Sequence, residues 1–441
     1  MEKSELKNLV RRAGVSDQAN SVADEQVAHR QILYLFASGF LVLFVGMGLF
    51  PILPLYAARF GASRTFIGIF FALMYAANAA GPAVVGWLGE RISGRRLFIL
   101  AGVLGVPGLI ALGYVTALWQ LVVVAAALWF FGGLIMALVS IFTGFYTNSH
   151  NRGKAFSLMA LTVPLGTLAG ATSVGQLVSR YEYRVMFAVL GAVWVALPAL
   201  GLFLLKEKRA AKNPPPKSTT GADRFNLILS RGFVLLMVVS LLSSAAVNMG
   251  RLGSPLSMQA LAFSPAAIAS AATVSGLVTI PITFLIGVLA DRLGRRRFLS
   301  VSYLLAAGGV LTLSFARELW QFWVASILLL VAFGVGRALS SALATDILSE
   351  AELARGLAWV NTANSSASIV SFALIGFLID RFNPPAVFVA IAVLPVAGIF
   401  LLNRSSAGRQ PAGALPAIAV EAARPPKPKP EELVWPVEGC M

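Results

Sequence analysis

Apolar runs long enough to cross a lipid bilayer recur twelve times along this chain, and they constrain its fold more than any other feature. Crossing about 30 Å of hydrocarbon takes roughly 20 helical residues. Hydrophobic residues make up 58% of the chain and charged residues only 12%, whereas soluble domains contain about 45–50% apolar and about 25% charged residues. A chain this apolar cannot cover its surface in water, so a bilayer is its natural solvent.

All twelve runs are predicted to be helices. In lipid every backbone N–H and C=O needs a partner within the protein, and these runs are too long for barrel strands. The predicted fold class is therefore an all-α membrane protein. The predicted spans lie near Gln31–Tyr56, Thr65–Leu88, Leu97–Val115, Trp119–Tyr146, Ala155–Val178, Val185–Leu205, Gly232–Met258, Pro265–Leu289, Phe298–Phe315, Leu319–Leu348, Leu353–Ile379 and Pro385–Leu402.

A polar stretch between spans six and seven reads NPPPKSTTG from Asn213 to Gly221 and has no means of burying a core. It divides the chain into two halves of six spans each. We predict a cytoplasmic N-terminal segment over residues 1–30, six-helix bundles over 31–205 and 232–402, a cytoplasmic linker over 206–231, and a disordered Pro-rich tail over 403–441.

Basic residues predict the orientation. Of the 35 Lys and Arg residues, 27 lie on the side that both termini share, six lie in the opposite gaps and two lie within spans. By the positive-inside rule both termini are cytoplasmic, in a multi-pass protein of the cytoplasmic (inner) membrane. The formal net charge of +16 therefore reflects topology and does not indicate a nucleic-acid partner.

The two halves match each other at a nearly constant offset. Trp119 matches Trp320, 201 residues later, and the segment GWLGER from Gly86 matches GVLADR from Gly287 at the same offset. A shared offset indicates an internal repeat. The sequence thus predicts two six-helix pseudo-repeats, an architecture of secondary transporters whose substrate site lies between the repeats near the bilayer midplane.

The gaps after spans two and eight carry the most specific motif. Residues 287–298 read GVLADRLGRRRF, which resembles the major facilitator superfamily signature G-x-L-a-D-R-x-G-R-R, and residues 86–96 read GWLGERISGRR, a degenerate copy. The Pro-containing segment Gly46–Tyr56 is similar to that of the drug–proton antiporter branch. The resemblance implies a twelve-helix transporter whose two halves rock around a central site. Residues 161–170 have the Pro and glycines, but not the order, of the exporters' span-five motif, so export and uptake both stay open.

In that family the signature loop is associated with the outward-facing state, which implies a breakable latch between moving parts. Glycines let a helix end sharply, a carboxylate suits a helix N-terminus, and arginines pair with acids at neighbouring helix ends. We expect Asp346, at the end of span ten, to pair with Arg292 or Arg296. The alternative is that the basic loops only set topology. The predicted latch residues are Gly86, Glu90, Arg91, Arg95, Gly287, Asp291, Arg292, Gly294, Arg295, Arg296 and Asp346.

Two arginines within spans are the leading candidates for a substrate site. Charges inside a membrane are costly, so such a residue is a functional hypothesis by default. Arg251 lies in span seven with Asn248 one turn before it, and Arg337 lies in span ten. A guanidinium suits an anionic substrate or a substrate carboxylate. The alternative is that each arginine reaches an interface, or pairs with backbone carbonyls or with Asp346.

Further cavity candidates are polar or large side chains in spans four and eleven. Asn361 and Asn364 share a helical face with Ser365 and Ser368, which favours interhelical hydrogen bonding somewhat over a cavity lining. Trp129, Phe130 and Met136 in span four are expected to form an aromatic wall for a lipophilic ligand or to pack against lipid.

The function predicted from these patterns is secondary transport of a small organic solute by alternating access, by a monomer in the bilayer. Efflux of a drug-like or metabolic compound is favoured, with protons as a candidate coupling ion. The alternatives are uptake of an organic anion or nutrient, or a non-transporting protein on the same fold. No catalytic constellation, P-loop, cofactor motif or metal-ligand cluster occurs in the sequence, so an enzyme is not predicted.

Overall fold

Twelve helices long and apolar enough to span a membrane occur in the computed structural model, within the residues that it describes. These residues are 29–89, 91–147, 151–204, 231–348 and 350–404, and none of them belongs to a strand. The predicted all-α class and the count of twelve spans are confirmed. The predicted N-terminal segment, linker and Pro-rich tail lie almost entirely outside the described residues.

The twelve spans are labelled α1 to α12 in chain order. A short helix, Leu53–Ala58, follows the first span, because Pro51 and Pro54 end α1 earlier than the sequence predicted. The spans are α1 His29–Leu49, α2 Arg64–Leu88, α3 Gly94–Leu112, α4 Leu118–Phe145, α5 Arg152–Ala160 with Thr162–Arg180, α6 Tyr183–Trp194 with Ala196–Phe203, α7 Arg231–Ala260, α8 Pro265–Leu293, α9 Arg295–Phe315, α10 Leu319–Ile347, α11 Glu350–Arg381 and α12 Pro384–Arg404.

Prolines account for the interruptions of α5 and α6. A proline has no N–H to donate to the carbonyl four residues earlier. Pro164 and Pro198 therefore leave the carbonyls of Ala160 and Trp194 without their helical partners, and these are the residues at which the first segments of the two spans end.

The internal repeat is visible in how equivalent helices begin. The Ser63 hydroxyl accepts a hydrogen bond from the Phe66 N–H at 3.1 Å and caps α2. The Ser264 hydroxyl accepts from the Ala267 N–H at 3.2 Å and caps α8 in the same way. A serine N-cap satisfies one of the free N–H groups of the first turn. Ser63 and Ser264 are 201 residues apart, so the sequence offset marks structurally equivalent positions.

The two halves meet along two helix pairs, α2 with α11 and α5 with α8. Helices α5 and α8 touch mid-span, where a Cβ on Gly276 would lie 2.6 Å from the Leu168 backbone nitrogen, and close contacts of both pairs lie where α2 and α8 begin and α5 and α11 end. This end of the molecule is called the sealed face. The opposite end, where α2 and α8 end and α5 and α11 begin, is called the open face. Arg251 and Arg337, described next, lie between these two faces.

Candidate functional site

Arg251 of α7 lies between two aromatic rings that come from the two halves of the molecule. Its guanidinium carbon is 4.7 Å from the ring centroid of Phe50 and 4.5 Å from that of Phe333 in α10. Its Nη2 donates to the Met47 sulfur at 3.7 Å. Its Nη1 is buried and has no hydrogen-bond partner among the described residues. The arginine thus has stabilising ring contacts but no counter-charge.

Arg337 of α10 lies deep in the protein and is nevertheless accessible to solvent. It precedes the end of α10 at Ile347 by ten residues, which is roughly 15 Å of helix. Its side chain is exposed, as are Gly334 and Ala338 on the same helical face. Its electrostatic neighbours are Tyr75 of α2 and Arg251. This exposed face therefore lies beside α2 and α7, between the two halves and nearer the open face, where α10 ends.

The two arginines share one ring. The Arg337 guanidinium carbon is 5.4 Å from the Phe333 centroid, so the two guanidinium carbons are no more than 9.9 Å apart. At an effective dielectric constant of about 20, two like charges at that separation repel by on the order of 2 kcal/mol. No acid of the described residues lies between them, because every acid within a described helix is in its first or last turn.

A small, partly open cavity adjoins Arg251 toward the sealed face. Its volume is about 60 Å³, which has room for a few water molecules. Hydroxyl-bearing side chains from α5, α7, α8 and α10 give it a partly polar wall. The polar residues that line it are Thr167, Arg251, Ser254, Ser275 and Ser326.

Asn248 does not belong to this cavity. It is fully buried, and its Nδ2 donates to the Ser368 hydroxyl of α11 at 3.0 Å and to the Ser244 carbonyl at 2.9 Å. The Ser368 hydroxyl in turn donates to the Asn364 carbonyl at 2.9 Å. The predicted face of α11 is therefore used, at Ser368, for interhelical hydrogen bonding within one half, and Asn248 packs α7 against α11.

The remaining predicted cavity residues lie on α4 and α11. Asn361 is exposed and Asn364 is half-buried on α11. Trp129 and Met136 of α4 are half-buried against the main hydrophobic cluster. The Trp129 carbonyl accepts a hydrogen bond from the Asn78 side chain at 3.1 Å, which joins α2 to α4 inside the N-terminal half. No described contact links these side chains to Arg251 or Arg337.

At the sealed face, α2 and α11 touch backbone to backbone. A Cβ added to Gly68 would lie 2.5 Å from the Phe372 carbonyl oxygen, and one added to Gly376 would lie 2.3 Å from the Arg64 carbonyl oxygen. Only glycine permits so close an approach. Asp380 of α11 then closes the seam, because its Oδ2 accepts from the Thr65 N–H at 2.7 Å and the Thr65 hydroxyl at 2.6 Å.

The seam between α5 and α8 is the pseudo-symmetric counterpart. A Cβ on Gly175 would lie 2.5 Å from the Ala269 Cβ. Gly175 and Ala269 are offset by 201 residues from Gly376 and Gly68. The position equivalent to Asp380 is Ser179, whose hydroxyl donates to a carbonyl of its own helix. The carboxylate closure is therefore present in only one of the two described seams, and neither seam was predicted from the sequence.

A family profile described as the Major Facilitator Superfamily matches residues 35–258 and again residues 252–435. The chain belongs to the major facilitator superfamily. It is therefore a membrane transporter, as the loop motifs predicted, and not an enzyme.

Relatives of this major facilitator include named resistance proteins. It is 25% identical over 300 residues to "Multidrug resistance protein MdtG" of Dickeya zeae, covering 64% of this chain and 72% of that protein. It is 22% identical over 387 residues to "Quinolone resistance protein NorA" of Staphylococcus aureus, covering 85% and 96%. A solved structure of a mutant nucleoside transporter, NupG, matches with a TM-score of 0.71 at 16% identity, covering 85% of this chain and 99% of that one. The last match shows a shared fold.

The signature loops of this major facilitator form contacts within each half. Arg95 donates to the carbonyls of Gly201, at 3.1 Å, and Leu202 at the end of α6. Arg296, its equivalent 201 residues later, donates to the Leu402 carbonyl near the end of α12. Both arginines thus satisfy free carbonyls at a helix C-terminus, where positive charge is favourable.

Asp346 has a different partner from the predicted one. It pairs with Arg295 at 2.7 Å, whereas the sequence analysis expected Arg292 or Arg296. The pair joins the start of α9 to the end of α10, and Gly294, with φ of +85°, makes the turn that brings Arg295 there.

Few contacts are described for the other predicted latch residues. Arg91 lies over the Trp87 ring at 5.0 Å, and a Cβ on Gly86 would meet open space. The side chains of Asp291 and Arg292, the surroundings of Gly287 and all of Glu90 lie outside the described part of the chain. The described contacts of Arg91, Arg95, Arg295 and Arg296 each lie within one half, so the latch between halves stays a prediction.

Proposed function

We propose that this transporter exports a small organic solute from the cytoplasm by alternating access. The observation that carries the proposal is that, among the described residues, the two halves are in close contact at the sealed face of the protein and not at its open face. Glycine seams join the halves at one end, while Arg337, which lies between the halves and nearer the other end, is exposed. A central site closed at one end and reached from the opposite end is what alternating access requires.

We further propose that both termini are cytoplasmic, so that the open face is the cytoplasmic face and the sealed face is external. The distribution of 27 of 35 basic residues supports this orientation. Cys440 is the single cysteine of the chain and tests it. We expect a membrane-impermeant maleimide to label Cys440 in inverted vesicles and not in intact cells, and the reverse pattern would overturn the orientation.

The names of the relatives, multidrug and quinolone resistance proteins, support export as the direction. The test compares energised inverted and right-side-out membrane vesicles, with a quinolone, an aromatic carboxylate and a lipophilic cation as solutes. Export predicts accumulation of at least one of them in inverted vesicles only. Accumulation confined to right-side-out vesicles would indicate uptake, and no accumulation in either would support a non-transporting protein.

Two finer parts of the proposal are proton exchange and a monomeric state. The resemblance to drug–proton antiporters supports the first, and a pH dye inside the same vesicles reports whether solute movement releases or consumes protons. The monomeric state is supported by the fact that one chain provides both halves of the transporter. Light scattering of the purified protein in detergent should give the mass of one chain, about 46.6 kDa plus bound detergent.

A further inference from the structure

We propose that the transported solute is an organic anion whose acidic group is bound between Arg251 and Arg337. This inference rests on the proposed function, transport of a small solute through the central cavity, and adds the chemical class of that solute. A carboxylate and a phosphate share the chemistry in question, because the planar guanidinium fork matches both.

The first argument is the charge balance of the cavity. Two guanidinium groups lie within 9.9 Å of each other, and neither forms an ion pair with a described residue. Buried charges in proteins are ordinarily paired or hydrogen-bonded, and removing them from water without a partner is costly. The buried, unpartnered Nη1 of Arg251 lacks one strong acceptor. An anion that enters the cavity supplies that acceptor and neutralises the repulsion between the arginines.

The second argument is access. Arg337 is exposed between the halves, ten residues from the end of α10 at the open face, and Arg251 lies nearer the sealed face, beside the small cavity. Phe333 lies against both guanidinium groups. A solute coming from the open face therefore meets Arg337 first and reaches Arg251 next, without leaving positive charge for an apolar environment.

The third argument is the shape of the surroundings, which favours an anion with an apolar body. Phe50, Phe333 and the Met47 thioether contact Arg251. Rings and a thioether provide apolar contact for the rest of a solute, while the arginines bind its acidic end. A cationic solute would meet two uncompensated positive charges here.

The fourth argument comes from the repeat. Positions that build the fold are duplicated at an offset of 201 residues, such as the helix caps Ser63 and Ser264. The positions equivalent to Arg251 and Arg337 are Phe50 and Met136. The cations are therefore not part of what the duplicated fold requires. They are specific to one half, as expected of residues that recognise a solute.

The experiment measures binding and transport separately on the full-length purified protein. Salicylate and phenyl phosphate are the anionic probes, and tetraphenylphosphonium is the cationic probe. Binding is read as the rise in melting temperature with probe concentration, and transport as counterflow of the labelled probe in proteoliposomes. We expect both anions to stabilise the wild-type protein and at least one to undergo counterflow, and we expect tetraphenylphosphonium to do neither.

The variants Arg251→Gln and Arg337→Gln each remove one charge-assisted contact. We expect each to raise the half-saturating anion concentration at least about tenfold. Arg251→Lys and Arg337→Lys keep the positive charge but lack the bidentate guanidinium, so each should bind the anion more tightly than the corresponding Gln variant and less tightly than the wild-type protein. Arg317→Gln makes the same chemical change at an exposed residue of the sealed face, and it should leave anion binding unchanged. Melting temperatures without probe show which variants are folded.

The outcomes separate this proposal from the proposed function. Anion binding that depends on both arginines supports the proposal, and counterflow of that anion supports transport as well. Counterflow of tetraphenylphosphonium without anion binding overturns the anion proposal and leaves transport intact. Anion binding without counterflow of any probe supports the site and counts against transport. Absence of both anion binding and anion counterflow in the wild-type protein overturns the anion proposal, whichever variants fold.

Discussion

Replacing Gly68 with alanine should weaken the sealed state. The added Cβ would lie 2.5 Å from the Phe372 carbonyl oxygen, 3.0 Å from the Gly376 Cα and 3.2 Å from the Ala373 carbonyl oxygen. All three neighbours are backbone atoms of the opposing helix at less than ordinary contact distance, so α2 and α11 must separate by on the order of 1 Å. Overpacking of this kind costs about 1–3 kcal/mol. The gain in helix propensity from alanine is common to both conformations and cancels.

A destabilisation of about 1–3 kcal/mol, confined to the sealed state, shifts the ratio of sealed to unsealed molecules by roughly fivefold to 150-fold. Spin labels at Tyr181→Cys and Phe382→Cys report this ratio, with Cys440 replaced by serine. Both positions are exposed, lie on different halves and are 201 residues apart. Double electron–electron resonance spectroscopy should show more molecules with a longer distance between the two labels in Gly68→Ala than in the parent.

The matched control is Gly108→Ala, which adds the same methyl group in α3 where nothing lies within 4 Å. We expect its distance distribution to equal that of the parent. An unchanged distribution in Gly68→Ala, or an equal change in both variants, would refute the reasoning that backbone contact at this seam holds the sealed state together.

Three further substitutions follow from contacts within and between the halves. Asp380→Asn removes the charge at the start of α2 and should lower the sealed population about twofold to fivefold in the spin-label assay, since the site is exposed. Asp346→Asn breaks the half-exposed pair with Arg295 and should cost less than about 1 kcal/mol of unfolding free energy without changing the label distances, because both residues belong to one half. Gly105→Ala places a Cβ 2.3 Å from the Trp194 ring nitrogen and should cost about 1–3 kcal/mol in a denaturation curve, again with unchanged distances.

Much of the fold could be predicted because the bilayer leaves few choices. Length and apolarity were sufficient to place twelve helices, and the misplaced end of the first span has a local cause in Pro51 and Pro54. Partners were harder to predict than helices. Arg292, Arg295 and Arg296 are close in sequence, and the sequence does not show which of them faces the end of α10.

The seams lay beyond sequence reasoning for a different reason. Thr65 and Asp380 are 315 residues apart, and neither forms part of a motif. Small residues at helical spacing signal close packing but do not name the opposing helix. The same lack of partner information affects the candidate site. The charge of Arg251 alone singles it out within an apolar span. The role of Asn248 in packing is visible only once Ser368, its hydrogen-bond partner, has been located.

The proposed substrate site and the seal share one aromatic cluster. Phe50 contacts the Arg251 guanidinium at 4.7 Å, and its centroid is also 6.0 Å from that of Phe372. Phe372 is the residue whose carbonyl lies against Gly68 in the seam between α2 and α11. A change in the position of Arg251 therefore acts directly on the ring that packs against the seam. Transport by alternating access needs a physical connection of this kind, because a ligand shifts a conformational equilibrium only through contacts that differ between the two states.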